Sequence, residues 1–141
     1  MPYALGPLVA GELGEGTEMD SGEHPPVVTQ VEYVLDAPVS ADLIESFPVF
    51  LVSAELAQRL EGAHLEGFAL AEATVVPSRE YEAVDEQAPH KEYLWLRLTG
   101  DIGADCWLDD RYRLCVSDRM FEVLQAGDLQ GCEIEPAPGR A

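Results

Sequence analysis

The hydrophobic positions along this chain fall mainly into short runs with the composition of β-strands. β-Branched and aromatic residues are concentrated in segments 27–36, 47–53, 67–76 and 92–100. Runs of this kind, separated by stretches rich in Gly, Pro and acids, are typical of strands. In segment 92–100, leucines at every second position alternate with Tyr, Trp and Arg, which predicts a strand with two unequal faces.

A hairpin and a closing strand are predicted near the C-terminus. Segments 106–108 and 112–117 favour a hairpin whose turn contains Asp109 and Asp110, although this turn lacks the glycine of the most reliable hairpin signals. Segment 129–136 favours a last strand.

Two segments have the period of short amphipathic helices, and a serine precedes each. The side chains of Ser53 and Ser117 can each accept a hydrogen bond from a backbone N–H of the first helical turn. The apolar positions that follow share one face of each helix: Leu56, Ala57, Leu60 and Ala63 in the first, and Met120, Phe121 and Leu124 in the second.

The surroundings of these two helices repeat. When Val52 is aligned with Val116 without gaps, identical residues end a strand, cap a helix, pack it and permit a turn into the next strand. The identities are Val52/Val116, Ser53/Ser117, Leu60/Leu124, Leu65/Leu129, Gly67/Gly131 and Ala73/Ala137. We therefore predict an α+β fold: a mixed, mainly antiparallel sheet with two short helices from a duplicated strand–helix–strand unit.

The predicted organisation is a single domain of residues 1–141, a usual size for one hydrophobic core. The repeat units cover about 47–76 and 112–137. Residues 1–26 are rich in Gly, Pro and acids, so we expect an irregular acidic arm or an edge strand there.

The net charge and its distribution along the chain indicate the class of partner that the protein can bind. The chain has 27 acidic and 8 basic residues, a net charge of −19, and its first Lys or Arg is Arg59. Such a field repels nucleic acid, whose binding depends on cationic contacts, and attracts basic proteins. We expect a partner-binding surface on the N-terminal acids and the hairpin turn, with a tryptophan as anchor: Glu12, Glu15, Glu18, Asp20, Glu23, Asp109, Asp110 and Trp107.

Residues capable of covalent or metal chemistry are few and scattered. His24, His64 and His90 have no metal-ligand spacing, and the three cysteines, Cys106, Cys115 and Cys132, form no C-x-x-C pair. An acidic setting disfavours a thiolate. We predict no catalytic residue, no metal and no cofactor.

The chain has no sequence signal for export or for a membrane. Its N-terminal residues lack the basic start of a secretory signal, and no apolar run approaches the roughly 20 residues of a membrane-spanning helix. We expect a cytoplasmic protein.

One stretch resembles a known class of proteins. The pattern V-S-x6-L-x4-L-x-G-x4-P, together with the hairpin "WLDDRYRL", resembles an element of bacterial immunity-type proteins, which neutralise toxins of polymorphic toxin systems. The whole chain also resembles uncharacterised small proteins of high-GC bacteria. The matched residues are structural: Val116, Ser117, Leu124, Leu129, Gly131 and Pro136.

This resemblance implies a non-enzymatic inhibitor that binds a basic toxin domain through an acidic face. Two alternatives stay open. The first is a small-molecule-binding domain or small enzyme with a pocket near Cys106 and His90, and the second is an oligomeric accessory protein. The sequence leaves the partner, the interface, the strand order and the oligomeric state undetermined.

Overall fold

The computed structural model of the chain describes residues 2–20, 22, 27–37, 39–79, 81, 91–100 and 103–137. Within them the fold is α+β, as predicted, with thirteen short strands in mainly antiparallel sheets and two helices. The elements are β1 Tyr3–Gly6, β2 Gly11–Leu13, β3 Glu18–Asp20, β4 Val27–Gln30, β5 Glu32–Leu35, β6 Leu43–Ser46, β7 Val49–Ser53, α1 Ala54–Gly62, β8 Phe68–Ala71, β9 Thr74–Pro77, β10 Tyr93–Leu98, β11 Cys106–Leu108, β12 Leu114–Val116, α2 Asp118–Gln125 and β13 Glu133–Pro136.

The first repeat unit forms a four-stranded sheet in the order β6-β7-β10-β8. The hairpin β6–β7 leads into α1, which returns the chain to β8. Strand β10 lies between β7 and β8 and is antiparallel to both. In this register Leu94 is opposite Val52 and Leu96 is opposite Leu70.

The second unit forms a sheet of the same design in the order β11-β12-β1-β13. Here β1 takes the central place that β10 has in the first unit. Tyr3 is opposite Val116 and Leu5 is opposite Ile134. In the sequence repeat, Val116 corresponds to Val52 and Ile134 corresponds to Leu70. The duplicated strand–helix–strand unit is therefore confirmed, and its two copies also share a strand register that the sequence did not predict. Each unit builds its own sheet, because each has its own central strand.

The N-terminal residues differ from the expectation of an irregular arm or an edge strand. β1 lies inside its sheet, with strands on both sides, because Ala4 and Leu5 are buried against the second unit. Its apolar run was too short to be recognised as a core strand. β2 and β3, in contrast, do lie at the edges of their sheets.

Two segments predicted as single strands are each divided between two sheets. Segment 27–36 forms β4 and β5, and segment 67–76 forms β8 and β9. β5 pairs in parallel with β9 and in antiparallel with β2. A continuous β-branched run carries no mark of the point at which a strand changes partners, so the pattern alone did not reveal these breaks.

Two hydrophobic cores lie on the two faces of the first sheet. The first core joins both helices to both four-stranded sheets and includes Leu5, Val52, Leu96, Val116 and Leu124. The second core fills the space between the other face of the first sheet and the sheet β2-β5-β9. The predicted alternation in β10 is confirmed, because its leucines face the first core while Tyr93 and Trp95 face the second.

The helix ends match their sequence signals. The hydroxyl of Ser53 accepts a hydrogen bond from the Leu56 N–H at 3.1 Å, and that of Ser117 accepts one from the Met120 N–H at 3.1 Å. Gly67 has φ +103°, and a Cβ there would lie 2.6 Å from the carbonyl oxygen of Cys106. Only glycine fits such a position without strain.

Candidate functional site

The N-terminal acids lie on two consecutive edge strands, β2 and β3, and on the turn between them. β2 pairs with β5, and β3 continues beside β4, so residues 11–20 run antiparallel along segment 27–35. Backbone and side-chain bonds bridge the turn between β2 and β3: the Gly14 N–H donates to the Glu32 carbonyl at 2.8 Å, and the Gln30 side chain donates to the Gly16 carbonyl at 2.7 Å. We name residues 11–20 the acidic edge.

The acidic edge presents carboxylates and an apolar side chain together. Its four acids, Glu12, Glu15, Glu18 and Asp20, are all exposed. Met19 is also exposed, at 39%. None of the four acids takes part in an ion pair within the part of the chain that the structure describes. The fifth predicted acid, Glu23, lies outside the described residues.

The other predicted contact residues belong to a different sheet. Asp109 closes the turn of the β11–β12 hairpin: it accepts hydrogen bonds from the Arg111 and Arg113 N–H groups and pairs with the Arg113 guanidinium at 2.8 Å. Burial raises the pKa of Asp109, but these hydrogen bonds and the positive charge of Arg113 outweigh it, so the pKa lies below its usual value. Asp109 is therefore a structural residue, whereas Asp110 is exposed.

Trp107 does not have the exposure that the predicted anchor needs. Its side chain is buried beside Ala4, Cys115 and Ala137 on the outer face of the second sheet. Because β11 is short, its sequence pattern does not show which of its side chains are buried. The structure therefore corrects the prediction that Trp107 is an exposed anchor.

Cys106 and Cys115 are buried core residues, and Cys132 is half-buried against the first core. Cys106 is fully buried, its thiol donates to the Gly67 carbonyl at 3.2 Å, and burial together with Asp105 raises its pKa to about 12. Burial likewise raises the pKa values of Cys115 and Cys132 to about 11. The predicted pocket does not open at Cys106, because this thiol is packed in the first core. His90 lies outside the described residues.

A groove that the sequence did not indicate lies at one end of the space between two sheets. It has a volume of about 530 Å³. Its apolar lining comes from Val31, Ala73, Val75, Tyr93 and Leu94, and its polar lining from Gln30, Glu72, Thr74 and Glu92. A smaller cavity of about 290 Å³ adjoins it and shares Ala54 and Glu92. The one available sequence signal was the acid Glu72 inside the apolar segment 67–76.

Metal and membrane features are absent from the part of the chain that the structure describes. No group of three or more His, Cys, Asp and Glu side chains there is placed to hold a metal ion. No helix within the described ranges has the length and apolar character needed to cross a bilayer.

Comparison with known proteins identifies no relative. No family model, curated protein or solved structure matches the chain. Its function therefore has to be inferred from its own geometry and charge.

Proposed function

We propose that this chain is a non-enzymatic binding protein whose acidic edge engages a basic protein, and that this partner is a toxin domain which the chain neutralises as an immunity-type inhibitor. The observation that carries the proposal is the row of exposed carboxylates along the acidic edge, none of which forms an ion pair within the described residues. Segment 1–58 contains no Lys or Arg to neutralise them.

An acidic edge of this kind suits a basic partner for two reasons. The edge offers backbone groups with which an extended segment can pair. The carboxylates steer a basic surface towards it and suppress wrong partners. In β3 the sequence acid–Met–acid adds one apolar contact between two charges, a mixture that favours a protein partner over a simple counter-ion.

Neutralisation follows if the basic surface is the catalytic cleft of the partner. Toxin domains that act on nucleic acids bind phosphates through cationic groups. An acidic edge seated on those groups competes with the substrate for them. We also propose a cytoplasmic location, which free thiols favour, because all three cysteines are unpaired.

A pull-down from the native lysate, washed across a salt series, tests this function with a matched pair of variants. The edge variant carries Glu18→Lys and Asp20→Lys. The control carries Glu61→Lys and Glu122→Lys, two exposed helix positions with the same change in net charge. We expect wild type and control to retain one basic protein that the edge variant loses. Retention should fall between about 0.1 M and 1 M salt, as the Debye length shrinks from about 10 Å to 3 Å.

A toxicity assay with the captured protein then tests whether binding by this chain also inhibits it. Wild type and control should abolish its toxicity on co-expression, and the edge variant should not. If the edge variant and the control both lost the partner, binding would depend on net charge and not on the acidic edge. Absence of any basic protein at low salt would refute the proposal.

One observation favours a second candidate, an oligomeric accessory role. β13 is an edge strand of its sheet, all four of its residues are exposed, and Ile134 is 43% exposed. Such an edge can pair with a second copy. Sedimentation of the purified chain distinguishes the candidates, because a monomer of 15.4 kDa excludes this pairing.

A further inference from the structure

We infer that the groove beside β9 and β10 seats an extended basic segment of a protein partner, with the apolar parts of its side chains on the groove floor and its cationic heads at Glu72 and Glu92. The inference rests on the proposed function in taking the occupant to be a basic protein. It assigns a second contact surface, which lies on the opposite side of β4 and β5 from the acidic edge.

The groove has the form that an extended peptide requires. β8 pairs with β10 only from Trp95 to Leu98, and the chain turns away at Glu72. Among the described residues, Tyr93 and Leu94 therefore have no strand partner on that side. β9 is likewise the edge strand of its sheet. Two strand edges thus border one groove, and an exposed strand edge is what an extended peptide pairs with when it adds a strand to a sheet.

The lining of the groove matches long basic side chains. Val31, Val75 and Tyr93 supply an apolar floor on the side of the second core, while Glu72 and Glu92 are exposed at the rim. Lys and Arg place their methylene stems on apolar surface and keep the charged head in contact with water or a carboxylate. A purely apolar segment would provide no positively charged group for either carboxylate.

Lys91, which lines the adjoining cavity, is bound to polar groups of this chain. Lys91 donates to the Asp42 carboxylate at 2.7 Å and to the Ser40 carbonyl at 2.6 Å. Its charge is therefore directed at Asp42, whereas Glu55, Glu72 and Glu92 are all exposed. Charge complementarity selects a basic occupant.

The size of the groove fits a short stretch of peptide. Its volume of about 530 Å³ lies within the range of roughly 300–1,000 Å³ for ligand pockets. The adjoining cavity of about 290 Å³ beside Ser53, Ala54 and Glu55 extends it towards the start of α1.

An NMR titration of the ¹⁵N-labelled chain with the peptide acetyl-(Lys-Val)3-amide tests the inference. The groove variant carries Glu72→Gln and Glu92→Gln, and the edge variant carries Glu18→Gln and Asp20→Asn. We expect amide shifts at Val75 and Leu94 in the wild type and in the edge variant. Binding at these amides should weaken about two- to thirtyfold in the groove variant, as for two exposed ion pairs.

A peptide N-methylated at every residue should lose the groove shifts, since neither of its edges can then donate hydrogen bonds to a strand edge. Shifts confined to residues 18–20 would overturn the groove inference and leave the proposed function standing. Groove shifts that persist unchanged in the groove variant would overturn the charge match. No shifts anywhere would overturn the inference as well, while the pull-down still decides the proposed function separately.

Discussion

At the residue scale, two buried aspartates join the repeat units to each other. Asp42 accepts a hydrogen bond from the Asp128 N–H at 2.7 Å, in the loop that follows α2. Asp105 accepts one from the Glu66 N–H at 2.8 Å, in the loop that follows α1. Each aspartate thus anchors the helix–strand loop of the other unit. Buried carboxylates persist where hydrogen bonds offset their desolvation.

Asp42 is the better probe of this connection, because its charge is also paired. Burial raises its pKa, but hydrogen bonds from the Asp128 N–H, Lys91 and Ser53 outweigh burial, so the pKa lies below its usual value. Asp42→Asn removes the charge that Lys91 and the Asp128 N–H both contact. We expect a loss of about 2 kcal/mol in the free energy of unfolding near pH 7, measured by urea denaturation.

The pH dependence of that loss has a definite sign. A carboxyl whose pKa is depressed in the folded state stabilises the fold above its unfolded pKa of about 3.9 and stops doing so as pH falls through the folded value. The gap between wild type and Asp42→Asn should therefore be constant above about pH 5 and shrink below pH 4. Asp110→Asn, at an exposed position, should show no gap. A gap that grows in acid would contradict this assignment.

At the element scale, the sequence was informative where a single residue type determines a local geometry. Ser53 and Ser117 mark the helix starts, and Gly67 marks a turn that no residue with a Cβ can make. The repeat could be read because these residues recur at one spacing. β1 could not be identified, because its burial depends on β12 and β13, which lie more than a hundred residues away in the sequence.

The candidate site, like the fold, was predictable only in part. Charge alone indicated the acidic edge, since a surface without cations is visible in composition. The burial of Trp107 and the groove at Glu72 and Glu92 depend on which strand neighbours which, and periodicity contains no such information. The turn-closing contacts of Asp109 were likewise not predictable, because a carboxylate that closes a turn has the same sequence signature as one that faces solvent.

The two caps provide a prediction for the helices. Ser117→Ala removes the bond to the Met120 N–H and also the donor to the Asp105 carboxylate at 2.7 Å. We expect Ser117→Ala and Ser53→Ala each to lower the free energy of unfolding by about 1–2 kcal/mol. Gln58→Ala and Gln125→Ala, at exposed helix positions, should stay within about 0.5 kcal/mol of wild type. If a serine variant matched its glutamine control in urea denaturation, the cap would not contribute to stability.

At the scale of the whole molecule, the two units support each other reciprocally. Arg59 of α1 donates to the carbonyl of Ala126, the C-cap of α2, at 2.8 Å. Arg119 of α2 donates to the carbonyl of Ala63, the C-cap of α1, at 3.4 Å. A cation at a helix C-terminus is favourable for the helix dipole. Each helix therefore stabilises the end of the other, and residues of both units pack in the first core.

The units differ in where their central strand comes from. In the first unit the chain order is hairpin, α1, β8 and then, later, β10. In the second unit the corresponding strand is β1, which precedes everything else in the chain. The Ala137 N–H donates to the Pro2 carbonyl at 2.9 Å, so the start of β1 lies beside the end of β13. Moving β1 behind β13 would give both units the same order.

We therefore predict that a permuted chain folds. It begins with a start methionine placed before Pro7 and runs to residue 141. A short Gly-Ser linker then leads into residues 2–6. Antiparallel neighbours need only a short connection, so the permuted chain should unfold cooperatively in urea within about 2 kcal/mol of wild type. Deleting residues 2–6 should instead abolish cooperative unfolding, because it leaves β12 and β13 without the strand that joins them and removes the buried Leu5. A permuted chain that behaved like the deletion would show that β1 must enter the sheet from the N-terminal side, and the two units would then be alike in register but not in assembly.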